Sequence, residues 1–359
     1  MEAGKTDSMV RTLPFSRGVN FTKWFEEHSA KEIQFARYIE QDFVNAKSLG
    51  ADCIRVPIKM HSMTLGKPGF ALDPLLLKYL DTAIGWAEKH GLYIIIDNHS
   101  FDPVAPTDPH IDKILLKVWA QLAERYKDRG EYVMYEILNE PHGISAGRWG
   151  EIQGEAIKTI RKIDPLHAII AGGIDYNSIG KLALIPEYSC SNLIYTFHFY
   201  DPHMFTHQGA HWGSPSLASL GGVPFPYDRK RMPKTPDDLK GTWAESALEN
   251  YEGDSAFSAL SASLDKAAAF SKERGVPVFC GEFGVYMLKS ASRDRVQWYK
   301  FITAELGKRK IAWTCWDYFC GFGIFNGPYT GDFDADVNVR LVRAMGFTPP
   351  PQRMRIATL

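Results

Sequence analysis

The sequence predicts an α/β fold, a single-domain (β/α)8 TIM barrel with a long insertion in the sixth βα loop. Three observations carry this expectation. Eight short apolar runs rich in β-branched residues recur along the 359 residues, helical patterns lie between them, and one connection, 201–252, is far longer than the rest. The runs are mostly continuous rather than alternating, as in parallel strands covered on both faces. Eight strand–helix pairs over about 340 residues fit one barrel of a type that usually takes about 250 residues and grows by loop insertion.

The strand runs are, in order, GVNF near 19, CIRVPI near 55, LYIIID near 95, YVMYEIL near 135, HAIIAG near 169, LIYTFHFY near 195, VPVFCGEF near 279 and IAWTCWDY near 314. Between the second and third, Asp73 is placed to cap a helix with Pro74 at its first position. Leu76, Leu80, Ala83, Ile84 and Ala87 give it an apolar stripe, and Gly91 can stop it. DPHIDKILLKVWAQLAERYKDRG repeats the scheme with Ile111, Leu115, Val118, Leu122 and Tyr126, up to Gly130. Further helices are predicted over 31–49, 147–163, 178–186, 254–274, 291–308 and 334–345. A doubly wound sheet is the competing architecture, but it usually shows a Gly-rich phosphate turn after its first strand, and here NFTKWFEE follows. The segment 201–252 is rich in Gly, Pro and Trp without a clear period, and so long an irregular stretch in a compact domain is usually functional.

Basic and acidic side chains number 41 and 42, so a net charge of -1 offers no field to attract nucleic acid or anionic membrane. With no run of 18 apolar residues and no apolar stretch at the N-terminus, neither a membrane span nor a signal peptide is expected in this chain. The five cysteines lack CxxC spacing and read as buried free thiols, with Cys315 and Cys320 the pair that could join.

In a barrel of this type the active site lies at the carboxyl ends of the strands. The polar residues that end the runs are Asn20, Arg55, His99, Asn139, Glu140, His198, Tyr200, Glu282 and Trp316. Taken singly, Arg55 reads equally well as a structural ion pair, and His99 reads better as a satisfied histidine. The informative pair is Glu140 and Glu282, on strands four and seven and so across the mouth from one another. Cleavage of a glycosidic bond requires two such carboxyl groups, one to donate a proton and one to support the oxocarbenium-like centre. Pro141 is expected to hold Glu140 extended, on the line of its strand. Arg55 beside Glu282 should lower the pKa of that carboxyl, and the charge on Glu282 should raise that of Glu140.

The strings IRVPI, LNEPHG, HFYDP, FTHQGAHW, GEFGVY, W-D and GFGIF together resemble glycoside hydrolase family 5, the cellulase-type retaining glycosidases, and in particular its bacterial endoglucanase/mannanase branch of the Thermotoga type. The resemblance implies a catalytic domain over 15–346, between an N-terminal extension (1–14) and a C-terminal tail (347–359). It implies Glu140 as acid/base and Glu282 as nucleophile. Asn139 is then the residue that meets the sugar 2-hydroxyl, Arg55 and Tyr200 support the nucleophile, His99 and His198 are polar wall residues, and Trp316 is the platform under the ring. Asn20, His207, Trp212 and Asp317 are the further positions expected to touch sugar or orient the nucleophile. The implied reaction is endo-acting, retaining cleavage of β-1,4-glucan, with the two carboxyl groups about 5 Å apart. It uses no metal or cofactor and takes a polysaccharide as its partner. A monomer is implied, secreted with its signal peptide absent from this chain, or else cytoplasmic.

The sequence departs from the family pattern in three places. Ser100 stands where a second histidine is common, Asp317 where a Glu is common, and SLASLGGVPFPYDRKRMPK lengthens the sixth loop. Asp317 reads equally as a sugar contact or a turn cap, and Trp24 and Phe25 equally as a platform or as packing. A β-mannanase or mixed glucanase/mannanase would use the same machinery, and no motif separates them. A non-catalytic sugar-binding barrel would have lost or displaced one glutamate, whereas both are present. A metal-dependent hydrolase would need an HxH or comparable ligand set, where DNHS supplies one histidine.

Overall fold

The eight runs form eight strands: β1 (Arg17–Asn20), β2 (Cys53–Ile58), β3 (Tyr93–Asn98), β4 (Val133–Glu136), β5 (Ala168–Gly172), β6 (Leu193–Phe199), β7 (Val278–Phe283) and β8 (Ala312–Cys315). The computed structural model describes residues 13–351. The predicted extension 1–14, save its last two residues, and the tail beyond 351 lie outside the described residues. Each strand pairs in parallel with its sequence neighbours, and β8 returns to β1 to close the barrel.

Every position of β2 and β6 is buried, which is why these strands read as unbroken apolar runs: one face meets the helices and the other the barrel interior. At the amino-terminal end of the interior, Cys53, Ile95, Met134, Ile170, Ile194 and Phe279 pack into an apolar floor, with Phe15 set against it. Toward the carboxyl ends the interior turns polar. Gly281 is required there, because a Cβ at this position would stand 2.7 Å from Thr196 Oγ1 and 3.2 Å from His198 Nε2. The register between β6 and β7 shifts after Phe197, and this irregularity sets His198 opposite Glu282.

The covering layer begins with helices α1 (Glu40–Leu49), α2 (Pro74–Lys89), α3 (Asp112–Tyr126) and α4 (Ala146–Ile163). In α2 the Asp73 carboxylate accepts from Leu75 N at 2.8 Å, and the buried residues are the five of the predicted stripe. The helix predicted to begin at Pro109, after Asp108, starts three residues late at Asp112, behind a turn that Ile111 N closes on Asp108 O at 3.0 Å. Over 31–49 only α1 is α-helical; Ala30–Glu32 and Phe35–Arg37 are single 3-10 turns, and Asp42 accepts from Ile39 N where α1 begins. The stretch 178–186 is a 3-10 helix at Ile179–Leu184. The last predicted helix is interrupted at Val337–Asn338, where the Asn338 side chain caps Val339–Ala344. The long helices Phe257–Arg274 and Ser292–Lys308 complete the layer. Among the described residues no helix is long and apolar enough to cross a bilayer.

The sixth loop has structure of its own, including short helices at His203–Thr206 and Trp243–Glu249. Its own Leu217, Leu220, Val223 and Phe225 are buried. Gln208 accepts from Val223 N at 2.9 Å and donates to Phe205 O and Val223 O, Tyr251 OH donates to Pro224 O at 2.6 Å, and Arg231 pairs with the buried Asp294. Trp24 and Phe25 are wholly buried, and Trp24 Nε1 donates to Phe35 O, so both are packing residues. All five cysteines are free: Cys315 is enclosed in β8, whereas Cys320 Sγ lies 3.2 Å from Arg37 Nη2.

Candidate active site

Five N–H groups of Arg55, a fully buried residue on β2, organise the barrel mouth. Nε and Nη2 grip both oxygens of Glu136, at 2.7 and 2.9 Å. Nη1 donates to Asn20 Oδ1 at 2.9 Å and to Glu282 Oε1 at 2.8 Å, and Nη2 donates to Asn139 Oδ1 at 2.8 Å. Asp97 Oδ2 lies 3.1 Å from Nη2. A planar, permanently charged fork suits this role, since it can meet carboxylates in two directions without losing its proton.

Glu282 carries two donors, Arg55 on Oε1 and Tyr200 OH on Oε2 at 2.9 Å. Glu140 faces it with one side-chain partner, His198 Nδ1, 2.6 Å from Oε1, which donates or accepts according to the imidazole tautomer. His198 Nδ1 also stands 3.6 Å from Glu282 Oε2, so this imidazole sits between the two carboxyl groups. One oxygen of Glu140 and one of Glu282 approach within 4.8 Å. Burial lifts both acids. It pushes Glu140 up to about 7, against the pull of His99, Arg55 and His142 and with a contribution from the charge of Glu136. Glu282 is also raised by burial, with His198 and Arg55 pulling it down and Glu140 adding to the rise. The expected lowering of Glu282 by Arg55 is therefore present but outweighed by burial, and burial rather than Glu282 is the main cause of the rise at Glu140. Of the two, Glu282 is the better stabilised as an anion, because a guanidinium and a phenol both donate to it. Burial takes His198 down to about 4, so its imidazole is neutral and, by tautomer, can donate to Glu140 or accept from it.

The backbone at Glu140 differs from the expectation. Strand β4 ends at Glu136, and Glu140 has φ 45°, in the left-handed region. Proline at 141 disfavours the right-handed helical region for its predecessor, yet the chain takes the left-handed one here instead of the extended one. Such a conformation costs about 1–3 kcal/mol and persists where the surroundings enforce it. His142 Nδ1, 3.1 Å from the Glu140 carbonyl oxygen, is one such restraint.

The remaining predicted residues divide into groups. His99 Nδ1 meets Asp97 Oδ2 at 2.7 Å, and its ring lies 5.5 Å from that of the half-buried Trp316 at 13°, so Trp316 is backed by an imidazole. His207 and Trp212 stand in an aromatic wall with Tyr200, Tyr286 and Phe322. Asn20 is wholly buried, and its Nδ2 donates to Gly281 O and Cys315 O while Oδ1 receives Arg55; it holds Arg55 and leaves no face for sugar. The Asp317 carboxylate accepts from Cys320 N at 2.7 Å, the turn-cap alternative. Ser100 Oγ accepts from His61 N at 2.9 Å. Sequence reasoning missed Glu136, which sits inside the run YVMYEIL, and Asp97, which ends LYIIID two residues before the His99 singled out there. It also missed His142 and the exposed Tyr176, whose rings stack at 4.2 Å beside Glu140; the P-H-G after Glu140 is the one signal that pointed there.

The spacing of Glu140, His198 and Glu282 is one that a metal ion could bridge. Their atoms are instead engaged with one another, with Arg55 and with Tyr200, and a cation would stand next to the Arg55 guanidinium. The donor set does not fit a metal centre.

The family profile described as Cellulase (glycosyl hydrolase family 5) matches residues 16–319. Endoglucanase 3 of Fibrobacter succinogenes is 28% identical over 348 residues, which cover 90% of this chain and 52% of that protein, so the chain spans about half of its length. Endoglucanase C of Acetivibrio thermocellus is 27% identical over 317 residues, 85% of this chain and 92% of that protein. Among solved structures, endoglucanase Cel5A of Thermotoga maritima superposes with a TM-score of 0.74 at 28% identity, covering 92% of this chain and 96% of that one. It has also been solved with mannotriose and with cellobiose.

Glu136→Gln tests the central network. The amide places a donor against the Arg55 fork in place of an acceptor, and breaking one arm of a buried pair typically costs about 3 kcal/mol. A lower denaturation midpoint is expected together with a lower kcat, and an unchanged midpoint would show that Asp97 and Glu282 suffice to hold Arg55.

Proposed function

The chain belongs to glycosyl hydrolase family 5, and on that premise we propose that it is an endo-acting β-1,4-glucanase that cleaves with retention, Glu282 serving as nucleophile and Glu140 as acid/base. The observation that carries this reading is the unequal support of two facing carboxyl groups: Glu282 receives Arg55 and Tyr200, while Glu140 has a neutral imidazole and sits at about 7. Their closest oxygens lie within 4.8 Å, which favours the retaining spacing of about 5–5.5 Å over the inverting one of about 6.5–9.5 Å.

In the first step an oxygen of Glu282 bonds to the anomeric carbon as the glycosidic C–O bond breaks, and the departing oxygen takes the proton of Glu140. The glycosyl ester neutralises Glu282. Glu140, now ionised, takes a proton from the water that attacks the anomeric carbon and releases Glu282 as carboxylate. Arg55 and Tyr200 hold the Glu282 oxygens in place, and Asn139, fixed by Arg55 through its Oδ1, turns its Nδ2 toward His99 Nε2 at 3.5 Å, a long contact that the sugar 2-hydroxyl can replace. Trp316 offers an aromatic face to the C–H face of the ring. The endoglucanase names of the relatives support a β-1,4-glucan substrate. A mixed glucanase/mannanase is the second reading, favoured by the mannotriose complex of the Thermotoga maritima relative.

Proton NMR during hydrolysis of cellopentaose should show the β-anomer as the first product, and the α-anomer appearing first would overturn the retaining mechanism. Glu282→Gln should bind cellooligosaccharides but lose activity on the order of 10⁴-fold or more, the scale seen when a nucleophile is removed; retained turnover would remove Glu282 from that role. Activity requires Glu140 protonated and Glu282 ionised. The kcat/KM should therefore fall as pH rises through the Glu140 value of about 7 and fall again in acid as Glu282 gains its proton. A profile level well above pH 7 would speak against Glu140 as the acid.

A further inference from the structure

The aromatic wall on the β6 side does not stop at the catalytic residues. Tyr200, which donates to Glu282, has its ring 4.9 Å from that of His207; His207 stacks on His203 at 4.0 Å and 18°; and His203 lies 5.7 Å from the ring of Trp243. This row leads from the nucleophile outward to a tryptophan supplied by the sixth-loop insertion. Trp243 is 48% exposed, although the same insertion buries Phe225 and Tyr251. Its ring is nonetheless fixed, because Nε1 donates to Ser214 O at 3.1 Å and its helix is capped by Thr242 Oγ1 accepting from Ala244 N. A large apolar face held open to water, in line with a catalytic cleft, loses little freedom when a flat apolar partner covers it.

We propose that Trp243 and His203 form an outer sugar-binding subsite, which takes a pyranose ring of the same polysaccharide chain beyond the rings held at Glu140 and Glu282. The inference rests on the reading of the chain as a β-1,4-glycan hydrolase. It adds a subsite built by the insertion, outside the strand-end residues. The chemistry is stacking of a sugar C–H face on indole, with the His203 imidazole edge for a hydroxyl.

The test uses the full chain carrying Glu282→Gln, with affinities for cellohexaose and cellobiose measured by calorimetry. Adding Trp243→Ala should lower the ratio of cellohexaose to cellobiose affinity about tenfold, the equivalent of one aromatic face. Trp243→Phe keeps an aromatic face but loses the bond to Ser214, and should retain most of that ratio. A ratio unmoved by Trp243→Ala overturns the proposal. So does a Trp243→Phe variant as impaired as Trp243→Ala, since the loss would then come from loop anchoring. Cellohexaose binding no tighter than cellobiose in the parent also overturns it. Because these are binding measurements, a chain that binds cellohexaose but does not cleave it with Glu282 restored would sink the proposed hydrolysis and leave the subsite standing.

Discussion

The site depends on one buried guanidinium. A cation withdrawn from water must have every donor satisfied, or its desolvation is uncompensated. Arg55 meets that demand with groups from four strands and one loop: Asn20 on β1, Asp97 on β3, Glu136 on β4, Asn139 in the loop after it, and Glu282 on β7. Because these groups come from distant parts of the chain, satisfying Arg55 also fixes their mutual geometry. The apolar floor beneath, from Cys53 to Phe279, keeps water from reaching the network from below.

Burial, more than any single charge, sets the acidity of the site. It raises Glu140, Glu282, Asp97 and Asp317 and lowers His99 and His198. What separates the two reacting acids is therefore the number of donors each receives, not its depth. Two glutamates in one dry mouth can differ in protonation because one is tied to Arg55 and Tyr200 and the other is not.

Much of this was legible in the sequence, for identifiable reasons. Parallel strands buried on both faces are unbroken apolar runs, so all eight were readable, and the polar residue ending a run is where a barrel presents chemistry. Glu140, Glu282, Arg55 and Tyr200 were found that way. Glu136 and Asp97 were not: Glu136 is followed by Ile137 and Leu138 within its run, so it does not read as an end, and Asp97 was passed over for His99 two residues on, since a charged residue beside isoleucines gives no sign of facing inward. The left-handed backbone at Glu140 was also hidden, since the Pro141 rule argues for extension and the restraints that select otherwise, the His142 contact with the Glu140 carbonyl among them, are not written in the apolar pattern. The helix end misjudged near Val337 turned on a side chain, Asn338, that bonds the backbone locally, a competition that hydrophobic spacing does not report.

The left-handed turn at Glu140 has a mechanical consequence. The carboxyl group of Glu282 is clamped from inside the barrel by Arg55, whereas Glu140 is carried on a bent loop whose carbonyl is tied to His142 and whose carboxyl touches His198. The two reacting groups thus have different immediate mounts, joined through Arg55, which also holds Asn139 beside Glu140, and through His198, which stands near both carboxyl groups. A proton can leave Glu140 and return to it in every turnover while the Arg55 and Tyr200 bonds that hold Glu282 stay in place.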